Sequence, residues 1–342
     1  MNLSIKKKLT ALLLFPLLFV LFLVFAELKT LYINYFQASK ISKLVYIIKN
    51  TSNLVHETQI ERGMSSGFLG SNGTLYRDEL KSQRKKSDEA FLIFKSSLDS
   101  LVLENYSADL KASSEKVINI FNNLSSVRSM VDSFALTSPE TVGFYNKMND
   151  ETLKLIEPIS FLAPNNEIFN SIKAYLLFLF SKERTGIERA TLNNAFSSNK
   201  FNPGMFLIFS SLMTEQELFM KEFVFYSSKE NVDYVNNKLK GNTIAEVNRM
   251  RKIAIDNYDV GNFNIDPKYW FNTITKKINI MKEIEDYLLL DLIQKVESHK
   301  KNSIQVFIIE SVIFLIVTIL TLTLGLIVVS GITKSVQEVS DE

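Results

Sequence analysis

The chain has 342 residues, of which 46% are hydrophobic, and a formal net charge of +2, so it can bury a sizeable core and shows no global charge bias toward nucleic acid. It has no cysteine, which excludes disulfides and thiolate chemistry, and its two histidines, His56 and His299, lie far apart. We therefore expect no metal site, no cofactor and no enzymatic activity. Only six prolines and 11 glycines interrupt long mixtures of polar and apolar residues, which favours an all-α protein.

Two segments are apolar on every side, and we assign transmembrane helices to residues 9–27 and 304–330. Each is close to the roughly 20 residues that a helix needs to cross a bilayer. Three lysines at positions 6–8 precede the first segment, which places residues 1–8 in the cytoplasm. Two lysines at positions 300–301 lie on the outer side of the second segment and weaken this positive-inside signal. We expect both termini in the cytoplasm.

A cleaved signal peptide is the alternative for the first segment, because a basic start and an apolar stretch are common to both. No small-residue cleavage site follows the apolar stretch, and after Glu27 the sequence continues directly into an amphipathic helical pattern. These features favour a retained membrane helix. Glu310 lies near the outer end of the second segment, where a carboxylate can reach the membrane interface.

The region between the membrane segments, residues 28–303, is predicted to form about eight helices outside the cytoplasm. Short connections between long helices favour antiparallel neighbours, so we expect one or two up-and-down helical bundles. The breaks that separate the helices fall at residues 70–73, 104–107, 138–139, 164–166, 202–204, 241–242 and 261–267.

An internal similarity links two stretches of this region. QIERGMSSGFLG at residues 59–70 and GIERATLNNAF at residues 186–196 share Ile-Glu-Arg followed by a small residue, Gly63 or Ala190. Both stretches lie in the middle of predicted helices. A small residue beside an arginine lets two helices approach closely around the charged side chain, so we expect both arginines at helix contacts.

The stretch HETQIERGMSSGFLGSNGTLYRDELKSQRKKSDEAF at residues 56–91 resembles the opening motif of the nitrate- and nitrite-sensing (NIT) domain family. SKERTGIERATLNNAF at residues 181–196 resembles its Lys-Glu-x-x-Gly-x-Glu-Arg-Ala helix, and EVNRMRKIA at residues 246–254 its arginine-bearing late helix. DPKYWFNTITKKINIMKEIEDYL at residues 266–288 resembles its final Trp-Phe-x-x-x-Thr segment. The resemblance implies two stacked four-helix bundles that bind nitrate or nitrite at the front of receptors, kinases, cyclases or antitermination regulators.

Arginine is the residue type to seek, because a guanidinium group offers planar donors that suit a planar, weakly hydrated monoanion. Helical spacing places Arg62 on an inward apolar stripe, and on the late helix it ranks Arg251 above Arg249. On the middle helix the spacing directs Arg184 inward and Arg189 outward, whereas the family motif favours Arg189, so this choice stays open. Our candidate ligands are therefore Arg62, Arg251, Arg249 and Arg189, with the anion between the first and late helices.

Each candidate also has a purely structural explanation. Arg62 can satisfy Glu61 or Glu188 in an interhelical ion pair, and such buried pairs occur without any ligand. We expect Trp270 and its aromatic neighbours Tyr269 and Phe271 in core packing or as membrane-proximal anchors rather than around a ligand.

After the second membrane helix, residues 331–342 (GITKSVQEVSDE) resemble the start of a HAMP linker, with Ser335 where that family often has proline. The sequence therefore predicts the sensor module of a transmembrane chemoreceptor in the bacterial inner membrane. We expect a homodimer that binds nitrate or nitrite, reaches cytoplasmic signalling partners through an output domain missing from this chain, and has no nucleic-acid partner. A histidine kinase or cyclase sensor, a periplasmic enzyme and a ligand-free assembly protein are the alternatives.

Overall fold

The structure, a computed structural model, describes residues 5–341, which contain eleven α-helices and one short 3-10 turn at Leu103–Asn105. This confirms the all-α prediction. The four residues at the start of the predicted cytoplasmic segment 1–8, and Glu342 at the end of the HAMP-like segment, lie outside the described residues. The helices are α1 Ile5–Gly70, α2 Arg77–Asp99, α3 Ala108–Asn122, α4 Leu124–Asp132, α5 Ser138–Lys154, α6 Ile156–Ser160, α7 Asn166–Ser197, α8 Met205–Tyr226, α9 Lys229–Lys238, α10 Asn242–Asp256 and α11 Pro267–Asp341.

The chain divides into two compact units. One contains the residues up to Ser42 together with those from Val296 onward, and the other runs from Lys43 to Lys295. In the first unit, Tyr35 of α1 stacks on Phe307 of α11 with the ring centroids 6.3 Å apart. By length and hydropathy, α1 and α11 each contain a stretch able to cross a membrane.

In the second unit, α2, α4 and α5 pack against the later part of α1, and α3 packs against α5. The buried Glu61 carboxylate organises this first helical group, because it accepts hydrogen bonds from Arg128 Nε at 2.7 Å and Tyr145 Oη at 2.6 Å. An unpaired charge in this position would be strongly destabilising. The Arg128 ion pair and the Tyr145 hydrogen bond therefore fix how α4 and α5 pack against α1.

A second helical group forms around α7, against which α8, α10 and α11 pack, while α9 pairs with α11. The Trp270 ring is fully buried, makes an edge contact with Phe196 at 5.5 Å, and donates from Nε1 to the Arg189 carbonyl at 3.0 Å. Tyr234 of α9 stacks on Tyr287 of α11 at 3.8 Å between centroids. The expected core role of Trp270 is confirmed, and the tryptophan also fixes the backbone of α7 beside Arg189.

Several helix boundaries agree with the sequence breaks, since α1 ends at Gly70 and α11 begins at Pro267. Three boundaries were missed, which is why the chain has more helices than expected. Asn123 alone separates α3 from α4, Leu155 alone separates α5 from α6, and Ser228 caps α9 by accepting from the Asn231 backbone N–H at 3.3 Å. None of these three breaks itself contains glycine or proline, the residues by which the other breaks were recognised.

Candidate anion-binding site

Helices α1 and α7 cross at two glycines, and each glycine lies beneath an arginine of the other helix. A Cβ atom at Gly186 would lie 2.7 Å from Arg62 Nη2, and one at Gly63 would lie 3.2 Å from Arg189 Nη2. The expected close approach beside Gly63 is present. On α7, however, the small residue that permits it is Gly186, three residues before Arg189, and not Ala190.

Arg62 is buried at this crossing, with a side chain only 2% exposed. Its guanidinium pairs with the buried Glu183 carboxylate and donates from Nη1 to Asn146 Oδ1 at 2.7 Å. Gln59 Nε2 donates to the same carboxylate at 2.5 Å. The inward position predicted for Arg62 is correct, but its ion-pair partner is Glu183 rather than Glu61 or Glu188.

Arg189 lies beside Arg62 and has no carboxylate of its own. Its Nη1 donates to Thr275 Oγ1 at 3.1 Å, and its guanidinium carbon lies 4.8 Å from the centroid of the Phe271 ring. No ion pair links it to any carboxylate of residues 5–341. Burial and the neighbouring Arg62 charge lower the pKa of Arg189 to about 10, so it is still protonated at neutral pH.

The charges at the crossing do not cancel, because two guanidinium groups face the single carboxylate of Glu183. A partly desolvated positive charge without a counter-ion is unfavourable in a protein interior. One bound monoanion would neutralise it. Planar guanidinium donors match planar oxyanions, and the Phe271 ring restricts the space on one side of Arg189.

A second charged cluster lies further along α7, at Glu188. Arg251 Nε and Nη2 bind the two Glu188 oxygens at 2.6 and 2.5 Å, and Gln216 Nε2 donates to the same carboxylate at 3.0 Å. Lys277 of α11 is 8% exposed, and burial and the Arg251 charge lower its pKa to about 8. The Lys277 ammonium makes no hydrogen bond or ion pair within the described part of the chain.

The structure thus separates the four predicted arginines. Arg62 and Arg189 meet at the helix crossing, while Arg251 is held by Glu188. Arg249 is exposed and pairs with Glu246 of its own helix at 2.7 Å. Arg184, the open alternative on α7, donates to Asp150 Oδ1 at 3.0 Å.

Sequence reasoning missed Glu183 as the Arg62 partner and Gly186 at the helix crossing, and it missed Lys277 in the second cluster. A signal for Lys277 existed, because positions 270, 274, 277 and 281 recur at helical spacing and the other three are apolar. Within residues 5–341, no group of three or more His, Asp or Glu side chains is placed to hold a metal ion.

Lys277→Met is expected to increase the free energy of unfolding at pH 7, because it removes a desolvated ammonium group. The unfolded chain holds the Lys277 proton up to its ordinary pKa of 10.5, whereas the folded chain releases it near pH 8. The wild-type protein therefore gains stability as pH rises between these values, by at most roughly 3 kcal/mol, and the variant lacks this gain. Urea unfolding at several pH values measures the difference.

Lys276→Met is the matched control, since Lys276 is the exposed neighbour on the same helix. It should retain the wild-type pH dependence. An unchanged pH dependence in the Lys277 variant would contradict the assignment of the buried, partly neutral amine.

Two known proteins resemble this chain over much of its length. The nitrate regulatory protein of Klebsiella oxytoca is 20% identical over 247 residues, which cover 72% of this chain and 62% of that protein. The chain thus spans less than two thirds of this relative's length. The structure of the NasR transcription antiterminator superposes with a TM-score of 0.74 at 20% identity, covering 90% of this chain and 82% of that one. This likeness shows a shared fold.

These relatives correct two predictions. The prediction of a transmembrane chemoreceptor is wrong, because the relatives are a nitrate regulatory protein and a transcription antiterminator. The prediction that nucleic acid has no part in the function is wrong for the same reason, since antitermination acts on transcription. The chemoreceptor prediction rested on the apolar and HAMP-like segments. The helical sensing region does not determine which output domain it serves, because a fold alone does not specify function. At the family level the relatives are regulators rather than enzymes.

The sequence pattern of the family described as nitrate and nitrite sensing matches residues 53–293. The match covers more than half of the chain and includes both helices of the crossing, with Arg62 and Arg189, and the charged cluster around Glu188. The resemblance seen in the sequence motifs is therefore confirmed, and the chain belongs to the nitrate and nitrite sensing family.

Proposed function

We propose that this protein is the sensing part of a regulator and that nitrate or nitrite binds between the guanidinium groups of Arg62 and Arg189. The observation that carries the proposal is the charge balance of the α1–α7 crossing, where two arginines face one carboxylate, that of Glu183. Family membership supports the identity of the anion.

The donors at the crossing suit a small planar monoanion. Arg62 stays oriented by Glu183 and Asn146, and its Nη2 makes only a long contact of 3.4 Å to the carboxylate. Arg189 uses Nη1 for Thr275, while its Nε and Nη2 have no hydrogen-bond partner in the described part of the chain. Because one bound negative charge balances the cluster, a dianion such as sulfate would leave an excess negative charge in a desolvated site.

Binding at this position would act on the packing of the two helical groups, because α1 belongs to the first and α7 to the second. An anion held by both arginines stabilises the arrangement in which these helices cross closely. An equilibrium between two arrangements shifts only by the difference in affinity that the ligand has for them. Because each arginine lies close against a glycine of the other helix, small movements of α1 relative to α7 would change that difference in affinity.

The other two predicted arginines have different roles in this proposal. Arg251 stays bidentate on Glu188 and makes no direct contact with the ligand. Arg249, exposed and paired within its helix, lies outside the site and provides a matched control.

Arg62→Ala and Arg189→Ala are each expected to weaken nitrate binding by roughly tenfold to a hundredfold, because a charge-assisted hydrogen bond contributes about 1.5–3 kcal/mol. The two losses should be non-additive in the double variant, since both arginines hold one ion. Calorimetry on the full chain in detergent measures the affinities, with Arg249→Ala expected to match wild type. Unchanged nitrate affinity in folded Arg62 and Arg189 variants would show that nitrate does not bind at this crossing.

We also propose that residues 9–27 and 304–330 cross the bacterial inner membrane and that residues 28–303 lie outside the cytoplasm. The large apolar side chains in these stretches are exposed, for example Phe15 at 79% and Leu326 at 72%. A protein in water seldom exposes so long a continuous apolar surface, whereas lipid stabilises it. Lys7 and Lys8 before the first stretch support a cytoplasmic N-terminus.

Single cysteines introduced into this cysteine-free chain test the orientation. The full-length protein should stay in the membrane fraction after an alkaline wash. A membrane-impermeant maleimide should label Ser126→Cys on α4 in intact spheroplasts and leave Ser335→Cys unlabelled until the cells are lysed. Recovery in the soluble fraction, or the reverse labelling pattern, would contradict the proposed topology.

A further inference from the structure

Two glycines one turn apart on α1, Gly63 and Gly67, form a flat surface at the edge of the arginine pair. The Arg189 guanidinium covers Gly63, and the Tyr76 ring covers Gly67 so closely that a Cβ there would lie 2.6 and 2.8 Å from two ring carbons. Residues four apart on a helix have Cβ positions about 6 Å from each other. The Tyr76 ring and the Arg189 guanidinium are therefore neighbours on one face of α1.

The backbone at Tyr76 turns this ring back onto α1. Tyr76 has φ 62° and ψ 17°, a left-handed conformation that bulky residues other than glycine rarely adopt. The turn is held on both sides, because the Leu75 N–H donates to Ser71 Oγ at 2.9 Å and the Leu80 N–H to the Tyr76 carbonyl at 2.8 Å. The ring is thus fixed by the turn rather than by a hydrogen bond of its own.

The Tyr76 hydroxyl has no hydrogen-bond partner among residues 5–341, although the side chain is half-buried. The ring lies over Gly67 and the Arg189 guanidinium over Gly63, one turn away on the same face of α1. A donor without a protein partner therefore lies beside the proposed anion site.

We propose that Tyr76 closes the anion site and that its hydroxyl donates a hydrogen bond to the third oxygen of nitrate. The inference rests on the proposed anion site between Arg62 and Arg189. Nitrite has only two oxygens, and the two guanidinium groups can bind both of them. The Tyr76 hydroxyl therefore adds little to nitrite affinity. Tyr76 is then the residue that makes the site prefer nitrate over nitrite.

Calorimetric titration of the full chain with nitrate and with nitrite tests the role of the hydroxyl. Tyr76→Phe keeps the ring and should weaken nitrate binding by roughly tenfold while nitrite binding changes by less than about twofold. Gly67→Ala, which displaces the ring, should reduce the same preference. Gly70→Ala is the matched control, because nothing lies within 4 Å of a Cβ at that position, and it should keep the wild-type preference.

The possible outcomes separate this inference from the proposed function. If Tyr76→Phe weakens nitrate and nitrite binding equally, Tyr76 has a merely structural role. If both affinities are unchanged, it has no role in binding. Either result overturns the inference and leaves the proposed site standing. A wild-type protein that binds neither anion would overturn the proposed site and this inference together. Thermal unfolding of each variant confirms that the comparison is made between folded proteins.

Discussion

The Glu183 carboxylate binds one arginine where two are present, and this imbalance is the constraint on which the rest of the site depends. Glu183 and Gln59 orient Arg62, while Arg189 beside it has only Thr275 and the face of Phe271. Because the dielectric at the crossing is low, the uncompensated charge has a stronger effect there than it would have at the surface. A bound monoanion is the simplest group that relieves it.

The surrounding structure holds the two guanidinium groups at close range. Glycine at positions 63 and 186 lets them approach the opposite helix, and Trp270 ties the Arg189 backbone to α11. The bidentate pair of Arg251 with Glu188 neutralises the next carboxylate along α7. These features specify an anion site and nothing about output, so the same region can serve regulators of different kinds.

Helical spacing in the sequence was sufficient to place Arg62 inward and to rank Arg251 above the exposed Arg249. It was not sufficient for Arg189, because α7 packs against neighbours on several sides and no single apolar stripe marks its buried face. Glu183 and Arg62 are 121 residues apart in the sequence, so their pairing depends on the tertiary fold and no local pattern predicts it. Lys277 was missed because lysine side chains are rarely buried, although its position follows the stripe of Trp270.

The most direct measurement is an experimental structure of the full chain at saturating nitrate. We expect planar density for one anion between the guanidinium groups of Arg62 and Arg189, with Glu183 still bound to Arg62 and α1 and α7 still in contact at Gly63 and Gly186. Nitrate bound elsewhere, with the space between the two guanidinium groups empty, would contradict the account, as would the absence of any bound anion at saturation.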